Sequence, residues 1–129
     1  ANWDVRNAMY TEGATVRLSD VEAVPIPGPF DVISMFSVVT HLDADDTRAM
    51  LRLLRRHIRP TGHLFFSAFI GGGIDGYEDR SPEGNPPLSW AFYDRQFMDD
   101  LVVSAGWEIE SVHDPIDPII QTHFVCRPI

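Results

Sequence analysis

Three polar side chains that could do chemistry, Ser37, Thr40 and His41, lie in the second half of a nearly continuous apolar run, residues 30–42. Hydroxyl groups donate and accept hydrogen bonds, and an imidazole can take up a proton near neutral pH. The run precedes an acidic segment typical of a helix start. In open α/β sheets, ligands bind beyond the carboxyl ends of the strands. The sequence therefore predicts a binding edge at this point.

The elements that must position these side chains can be predicted from the same region. An apolar run without polar alternation is typical of a strand buried on both faces in a parallel sheet, which needs helices on both faces. Asp43 is then predicted to cap a helix, and Pro60-Thr61-Gly62 to end it. A second buried strand is predicted over residues 63–70. A strand, a helix and a strand in this order form a parallel crossover.

The remaining segments complete an α/β pattern. Residues 15–18 predict a short strand, and residues 71–92 a long polar loop of the kind that often acts as a functional lid. Asp94 is predicted to cap a helix that Gly106 ends. Two strands joined by a short proline-containing connector then predict an antiparallel hairpin. We expect residues 1–129 to form a single domain.

Composition narrows the function classes. The chain has 129 residues, is 44% apolar, and carries a formal net charge of -9. The apolar fraction argues for a folded core, and the acidity argues against nucleic acid or an anionic membrane as the main partner. The predicted helix after Asp43 has a row of arginines, which could contact nucleic acid. A solvated helix face is favoured because the chain as a whole is acidic.

Cysteine and histidine usage argues against an internal disulfide and against a metal site. The single cysteine, Cys126, cannot form an internal disulfide and is expected to be a small core residue rather than a reactive thiol. The five histidines show no metal-ligand spacing, so we expect no metal site. No apolar run approaches the roughly 20 residues of a membrane span, and we expect no signal peptide. The expected location is cytoplasmic, with no membrane partner.

The order of the motifs resembles a known family. An acidic residue after a short strand is followed by Pro-x-Pro-Gly-x-Phe-Asp-Val-Ile, by Ser-Val-Val-Thr-His-Leu, and by a helix ending in Leu-Arg-Arg-His-Ile-Arg-Pro-Thr-Gly-His-Leu. From about Thr15 onward the chain resembles the class I S-adenosylmethionine-dependent methyltransferases. The resemblance implies a doubly wound, Rossmann-like, mostly parallel sheet with helices on both faces and a C-terminal antiparallel hairpin. It also implies methyl transfer from S-adenosylmethionine to an acceptor, which we expect to be a small molecule.

The resemblance assigns cofactor-binding roles by position. Asp20 matches the acidic residue that accepts a hydrogen bond from the adenine amino group, and Val21 matches the residue whose backbone N–H commonly meets the adenine ring. Phe36 and Ser37 match the end of the strand beside the methionine part of the cofactor. For Asp20, the alternative is an ordinary turn or capping residue, a role that aspartate often serves.

The acceptor side is assigned in the same way. His41 falls near the acceptor in some members of the family, where histidine suits the role of a general base, although many members rely on positioning alone. The alternative is a histidine that packs or caps at a helix start. The loop 71–92 matches the region that often covers the acceptor. Its aromatic residues could shape an acceptor pocket or equally form a plug over the sheet: Tyr77, Trp90, Phe92 and Tyr93.

The family's glycine-rich first strand and its ribose-binding acidic residue are expected upstream of Ala1, and the glycines of residues 71–76 follow the wrong strand to replace them. We therefore expect the chain to be the C-terminal part of a methyltransferase domain that does not bind the cofactor tightly by itself. The strand of the apolar run would then have an open edge, and such edges pair with other chains. Either a homo-oligomer forms through this edge or residues 15–19 pair with it.

Three functions compete on these grounds. The first is a methyltransferase, and the second is a non-catalytic remnant that acts as an oligomerisation or interaction module. The third, a fragment of a nicotinamide oxidoreductase, is disfavoured by the predicted C-terminal hairpin and by the absence of any lysine for a Tyr-x-x-x-Lys pair.

Overall fold

The computed structural model describes residues 18–25 and 27–129. Two α-helices, α1 (Ala44–Arg55) and α2 (Arg95–Ser104), and two 3-10 turns, η1 (Leu18–Asp20) and η2 (Val39–His41), lie in this part of the chain. Its strands are β1 (Phe30–Met35), β2 (Ile58–Ile70), β3 (Tyr77–Asp79), β4 (Ala91–Tyr93), β5 (Trp107–His113) and β6 (Thr122–Pro128).

The predicted helix starts are confirmed. The Asp43 carboxylate accepts a hydrogen bond from the Asp46 N–H at 2.8 Å, and the Asp94 carboxylate accepts one from the Phe97 N–H at 3.0 Å. Each bond satisfies a backbone donor that the first helical turn leaves free. Gly106 follows α2 with a φ of 95°, which lies in the left-handed region that glycine adopts readily at helix ends.

The predicted end of α1 is wrong. The helix ends at Arg55, and Pro60-Thr61-Gly62 lies inside β2. The register of β2 against β1 shifts at this point, from Phe30 opposite Ile58 to Val32 opposite His63. Gly62 permits the irregularity, since a Cβ atom there would lie 2.8 Å from the Asp31 carbonyl oxygen. Gly62 therefore allows the two strands to pack closely and does not end the helix.

The sheet has the order β3-β4-β2-β6-β5, and β1 also pairs with β2. The β1–β2 and β2–β4 pairs are parallel, whereas β6 runs antiparallel to both β2 and β5. The predicted α/β class, the parallel crossover and the C-terminal antiparallel hairpin are thus confirmed. The segment predicted as a continuous loop contains β3 and the start of β4, which pair with each other.

Strand β1 is not buried on both faces, contrary to the prediction. Ile33 and Met35 pack against the core, but Val32 on the opposite face is 60% exposed. No described helix covers that face. The predicted strand over residues 15–18 lies mostly outside the described residues, and Leu18 begins the turn η1 instead of continuing a strand.

The main core lies between the sheet and the two helices. Phe66 of β2 stacks on Phe124 of β6 with ring centroids 4.7 Å apart, and the Trp107 indole N–H donates to the Leu51 carbonyl at 2.9 Å. Cys126 is fully buried in β6, as predicted, and burial raises the pKa of its thiol to about 12. Cys126 is therefore a core residue, because the reactive thiolate is not populated near neutral pH.

A second, smaller cluster joins η1 to α1 and to the residue Leu42 that precedes it. Leu18, Leu42 and Leu53 form it, and Val38 packs against both this cluster and the main core. No helix in the described residues is long and apolar enough to cross a membrane.

Candidate functional site

The carboxyl end of β1 carries an exposed aromatic ring and a strained serine. Phe36 is 55% exposed, and its ring lies against His123 with centroids 5.8 Å apart. Ser37 has a φ of 58°, in the left-handed region. This conformation costs a non-glycine residue roughly 1–2 kcal/mol. The surrounding contacts must therefore hold it in place.

Ser37 is held by a closed ring of three hydrogen bonds. Its backbone N–H donates to the Ser67 hydroxyl at 2.9 Å, and the Ser67 hydroxyl donates to the Gln121 side-chain carbonyl at 2.5 Å. The Gln121 amide then donates to the Ser37 hydroxyl at 2.9 Å. The ring joins the end of β1 to the interior of β2 and to the residue before β6.

His41, on η2, is exposed but has a fixed orientation. Its Nδ1 lies 3.1 Å from the Leu88 carbonyl oxygen. A carbonyl can only accept a hydrogen bond, so Nδ1 must carry the proton. In the neutral ring, Nε2 is then left without a proton and can act as an acceptor. The geometry thus favours the tautomer that a general base acting through Nε2 requires.

The carbonyl that orients His41 belongs to a pinned loop. The Leu88 N–H donates to one oxygen of the Asp79 carboxylate at 2.9 Å, and the Ser81 N–H and hydroxyl both donate to the other. The hydrogen bond from the Ser81 hydroxyl, followed by that from the Leu88 N–H, lowers the pKa of Asp79. The loop after β3 is therefore anchored by a charged acceptor.

Tyr93 ties the same loop to the start of α1. Its buried hydroxyl donates to the Leu42 carbonyl at 2.6 Å and lies 2.8 Å from the Thr47 hydroxyl, which must be the donor because tyrosine has one hydroxyl proton. Burial raises the pKa of Tyr93 well above its usual range. Leu42 directly follows His41, so β4 and the loop hold this turn from two directions.

The predicted adenine-side residues lie on or beside η1. Asp20 is exposed, and its carboxylate has no hydrogen-bond or ion-pair partner within residues 18–25 and 27–129. The Val21 N–H donates to the Leu18 carbonyl at 3.1 Å, so the backbone donor expected to meet the adenine is shared with the turn. Downstream, the Arg56 guanidinium donates to the Glu22 carbonyl at 2.8 Å and fixes this segment to the end of α1.

The predicted site residues fall into three groups, and no hydrogen bond or ion pair within the described residues joins one group to another. Phe36 and Ser37 contact β6 or the residue before it, and His41 contacts the loop between β3 and β4. Asp20 and Val21 lie on or beside η1. The leucine cluster holds η1 beside the turn that follows His41. Among the described residues, no group of three or more His, Cys, Asp or Glu side chains could bind a metal.

Sequence reasoning missed three contributors to this edge, which are Ser67, Gln121 and Leu88. Ser67 had a visible signal, since it is a lone hydroxyl in the apolar segment 64–70. Gln121 precedes a predicted strand and gave no such signal. Leu88 contributes only its backbone carbonyl, which no side-chain pattern can reveal.

Comparison with known proteins identifies the class of fold. Residues 4–66 match the family model described as a methyltransferase domain. That match includes η1, β1, η2, α1 and the first part of β2. In a comparison of sequences, no curated protein matches the chain.

Solved structures of similar fold include methyltransferases. The glycopeptide N-methyltransferase MtfA complexed with S-adenosyl-L-methionine aligns with a TM-score of 0.63 at 11% identity, over 88% of this chain and 59% of that chain. The mitomycin 7-O-methyltransferase MmcR aligns with a TM-score of 0.60 at 16% identity, over 98% of this chain and 39% of that chain. LaPhzM aligns with a TM-score of 0.58 at 20% identity, over 81% of this chain and 32% of that chain.

The resemblance to the class I S-adenosylmethionine-dependent methyltransferases is thereby confirmed, by the family match in sequence and by the α/β fold. The chain spans less than two thirds of the length of each of these three proteins.

Proposed function

We propose that this chain carries the carboxyl-edge part of a methyltransferase site and that the complete gene product transfers a methyl group from S-adenosylmethionine to a small-molecule acceptor. The observation that carries the proposal is the turn at Ser37. A strained, hydrogen-bonded turn stands at the end of a parallel strand, within the residues that match the methyltransferase domain. Strain of this kind clusters at functional sites.

The residues present fit the cofactor chemically. The Asp20 carboxylate is exposed and can accept from an exocyclic amine, and the Ser37 hydroxyl can donate to a carboxylate. Phe36 offers an exposed ring next to Ser37 in the chain. When bound, S-adenosylmethionine supplies a methyl group activated by a sulfonium. The chain's residues would bind and orient it, and Val21 would have to share its N–H with the Leu18 carbonyl.

His41 is proposed as the general base or acceptor contact. The Leu88 carbonyl holds the proton on Nδ1, which leaves Nε2 free to accept a proton from an acidic O–H or N–H group of the acceptor. General bases contribute typically 10²- to 10⁴-fold to a rate. Because Leu88 lies in the anchored loop, the imidazole need not reorient before it acts.

The acceptor is proposed to approach beside the segment 71–92. Phe92 stacks on Phe69 with centroids 4.8 Å apart, and Tyr77 packs against Tyr93 at 5.4 Å, so these rings contact one another across neighbouring strands. Trp90 is more exposed and remains the aromatic side chain best placed to contact an acceptor. The net charge of -9 disfavours a nucleic acid in this role.

A second candidate, an oligomerisation module, is favoured by β1. Within the described residues β1 pairs only with β2, and Val32 is exposed on its uncovered face. An open strand edge pairs readily with another chain. We therefore include a homo-oligomer through β1 in the proposal, in a reducing, cytoplasmic compartment that suits a protein with one buried thiol.

The test is a calorimetric titration with S-adenosylhomocysteine. We expect the complete gene product to bind, and Asp20→Asn to weaken binding about tenfold, since one hydrogen bond to a charged group is worth about 1.5–3 kcal/mol. Asp100→Asn, on the exposed face of α2, is the matched control and should bind as the wild type does. We expect residues 1–129 alone to bind weakly.

Two results would contradict the proposal. Absence of binding by the complete gene product would remove the methyltransferase function and leave the oligomerisation module. Sub-micromolar binding by residues 1–129 alone would show that the glycine-rich strand expected upstream is not required.

A further inference from the structure

We propose that Gln121 is a positioning residue that sets the hydrogen-bond polarity of Ser37, so that the Ser37 hydroxyl proton points toward the cofactor side. The inference rests on the proposed function, since it concerns how the same edge meets an oxygen of the cofactor. Neither the family match, which ends at residue 66, nor the motifs of the sequence involve Gln121.

The direction of the three hydrogen bonds that join Ser37, Ser67 and Gln121 follows from the protons that each group can donate. Ser67 is 1% exposed, and its hydroxyl already accepts from the Ser37 N–H. Its own proton therefore needs an acceptor, since a buried hydroxyl left unpaired is costly. The Gln121 side-chain carbonyl is the acceptor that the described residues provide. The separation of 2.5 Å suits O–H···O better than N–H···O geometry.

The reversed orientation of the Gln121 amide would leave the Ser67 hydroxyl without an acceptor. If the Gln121 amide nitrogen faced Ser67, that hydroxyl would accept twice and its proton would have no partner among the described residues. The observed orientation satisfies both Ser67 and Gln121. It leaves the amide of Gln121 to donate to the Ser37 hydroxyl at 2.9 Å.

This orientation of Gln121 determines the hydrogen bonding of Ser37. Its backbone N–H is bound to Ser67, and one lone pair of its hydroxyl is occupied by Gln121. The hydroxyl proton has no acceptor in the described part of the chain, and the residue is exposed at the carboxyl edge. Ser37 is thus presented as a hydrogen-bond donor. The chemical class that it fits is an anionic or carbonyl oxygen, such as the carboxylate of an amino-acid group.

Gln121→Glu is the decisive variant because it inverts this polarity. A carboxylate accepts but cannot donate, so it would accept from Ser67 and also from the Ser37 hydroxyl. The shape of the side chain and the tie between β1 and β6 are kept. Ser37 would then offer a ligand only lone pairs, and the affinity for S-adenosylhomocysteine should fall at least tenfold while the melting temperature changes little.

The Ser37→Ala background separates hydrogen-bond polarity from the added charge. We expect Gln121→Glu to have no further effect on the dissociation constant when Ser37 is already alanine, because the donor is gone. An equal loss in both backgrounds would mean that the negative charge alone repels the ligand, and would overturn the inference. Gln121→Met, which removes both bonds, should lower the melting temperature as well as the affinity.

The wild-type measurement keeps the two proposals distinct. A wild-type complete gene product that does not bind S-adenosylhomocysteine would overturn the proposed function, and this inference with it. A wild type that binds, together with a Gln121→Glu variant that binds equally well, would overturn the inference alone.

Discussion

At the scale of single residues, His41 and Ser37 illustrate how neighbours select one hydrogen-bonding state. The Leu88 carbonyl accepts from Nδ1 of His41, and Gln121 donates to the Ser37 hydroxyl. In both cases a fixed partner determines which atom is left to meet a ligand. The chemistry of the edge therefore depends on these partners as much as on the side chains that face the ligand.

His41→Asn tests the proposed role of the imidazole. The asparagine amide can still donate to the Leu88 carbonyl, as Nδ1 does, but nothing replaces Nε2. We expect the turnover number of the complete gene product to fall about 100-fold or more, with an unchanged affinity for S-adenosylhomocysteine. A steady-state assay with an identified acceptor measures this. An unaltered turnover number would show that His41 only orients the turn.

At the scale of elements, the segment that joins β3 to β4 is fixed at both ends. Asp79 gathers three donors at one end, and Tyr93 connects the other end to η2 and α1. A segment of this length carries few internal contacts in many proteins, but in this chain charged and buried hydrogen bonds hold it. The segment is therefore held in place at both of its ends in this structure.

Tyr93→Phe should destabilise the protein. The change leaves the Leu42 carbonyl and the Thr47 hydroxyl buried without their partner, which costs about 1–3 kcal/mol. Chemical denaturation monitored by circular dichroism gives the free energy of unfolding. Tyr77→Phe is the matched control, because its half-buried ring has no described hydroxyl contact. Equal stability of Tyr93→Phe and the wild type would contradict the account of this buried network.

The loop anchor should depend on pH in one direction. The pKa of Asp79 is lowered in the folded protein, so its stabilising effect is fully present above the unfolded value of about 3.9 and is lost as the pH falls through the folded pKa. We expect the protection of the Leu88 amide from hydrogen exchange to decline only in that acidic range.

Asp79→Asn supplies the comparison for this pH effect. The variant should show weak Leu88 protection at every pH, because the charged acceptor is gone. Asp75→Asn, an exposed neighbour before β3, should behave as the wild type does. Protection that is independent of pH in the wild type would contradict the anchoring role of the Asp79 carboxylate.

At the scale of the whole molecule, the described sheet leaves one strand partly uncovered. Ile33 and Met35 of β1 face the core, whereas Val32 faces outward. The chain also spans less than two thirds of the length of the similar structures compared. One face of β1 is thus left uncovered by the residues that the structure describes.

Val32→Lys tests the oligomer proposed for residues 1–129. We expect the wild-type chain to be dimeric by light scattering after size-exclusion chromatography. The lysine should shift it to a monomer, because it places a charge at the edge strand. Val103→Lys, at an equally apolar position that is 54% exposed on α2, should remain dimeric. A monomeric wild type with β1 unpaired would contradict the proposal.

The sequence predicted the local features well because neighbouring residues determine them. Asp43 and Asp94 cap their helices by accepting a hydrogen bond from the backbone N–H three residues later in the chain. Gly106 supplies the left-handed turn after α2. The uncovered face of β1 could not be predicted, since an apolar run does not reveal whether helices are present to cover it. The strand role of Gly62 depends on the Asp31 carbonyl of another strand, which turn chemistry does not indicate.

For the candidate site, the sequence and the family resemblance indicated the edge but not its hydrogen-bond network. Ser37 and His41 were expected at the strand end, and they lie there in the structure. Their partners Gln121 and Leu88 are distant in the chain, at separations of 84 and 47 residues. Contacts of this kind arise only when the hairpin and the loop have folded against β2.

The proposed cofactor site lies along the edge formed by η1 and the end of β1. Hydrogen–deuterium exchange of the complete gene product, with and without S-adenosylhomocysteine, tests it most directly. We expect the ligand to protect the amides around Asp20–Val21 and Phe36–Ser37 and to leave those of α2 unchanged. Protection elsewhere in the chain, with neither of these two segments affected, would contradict it.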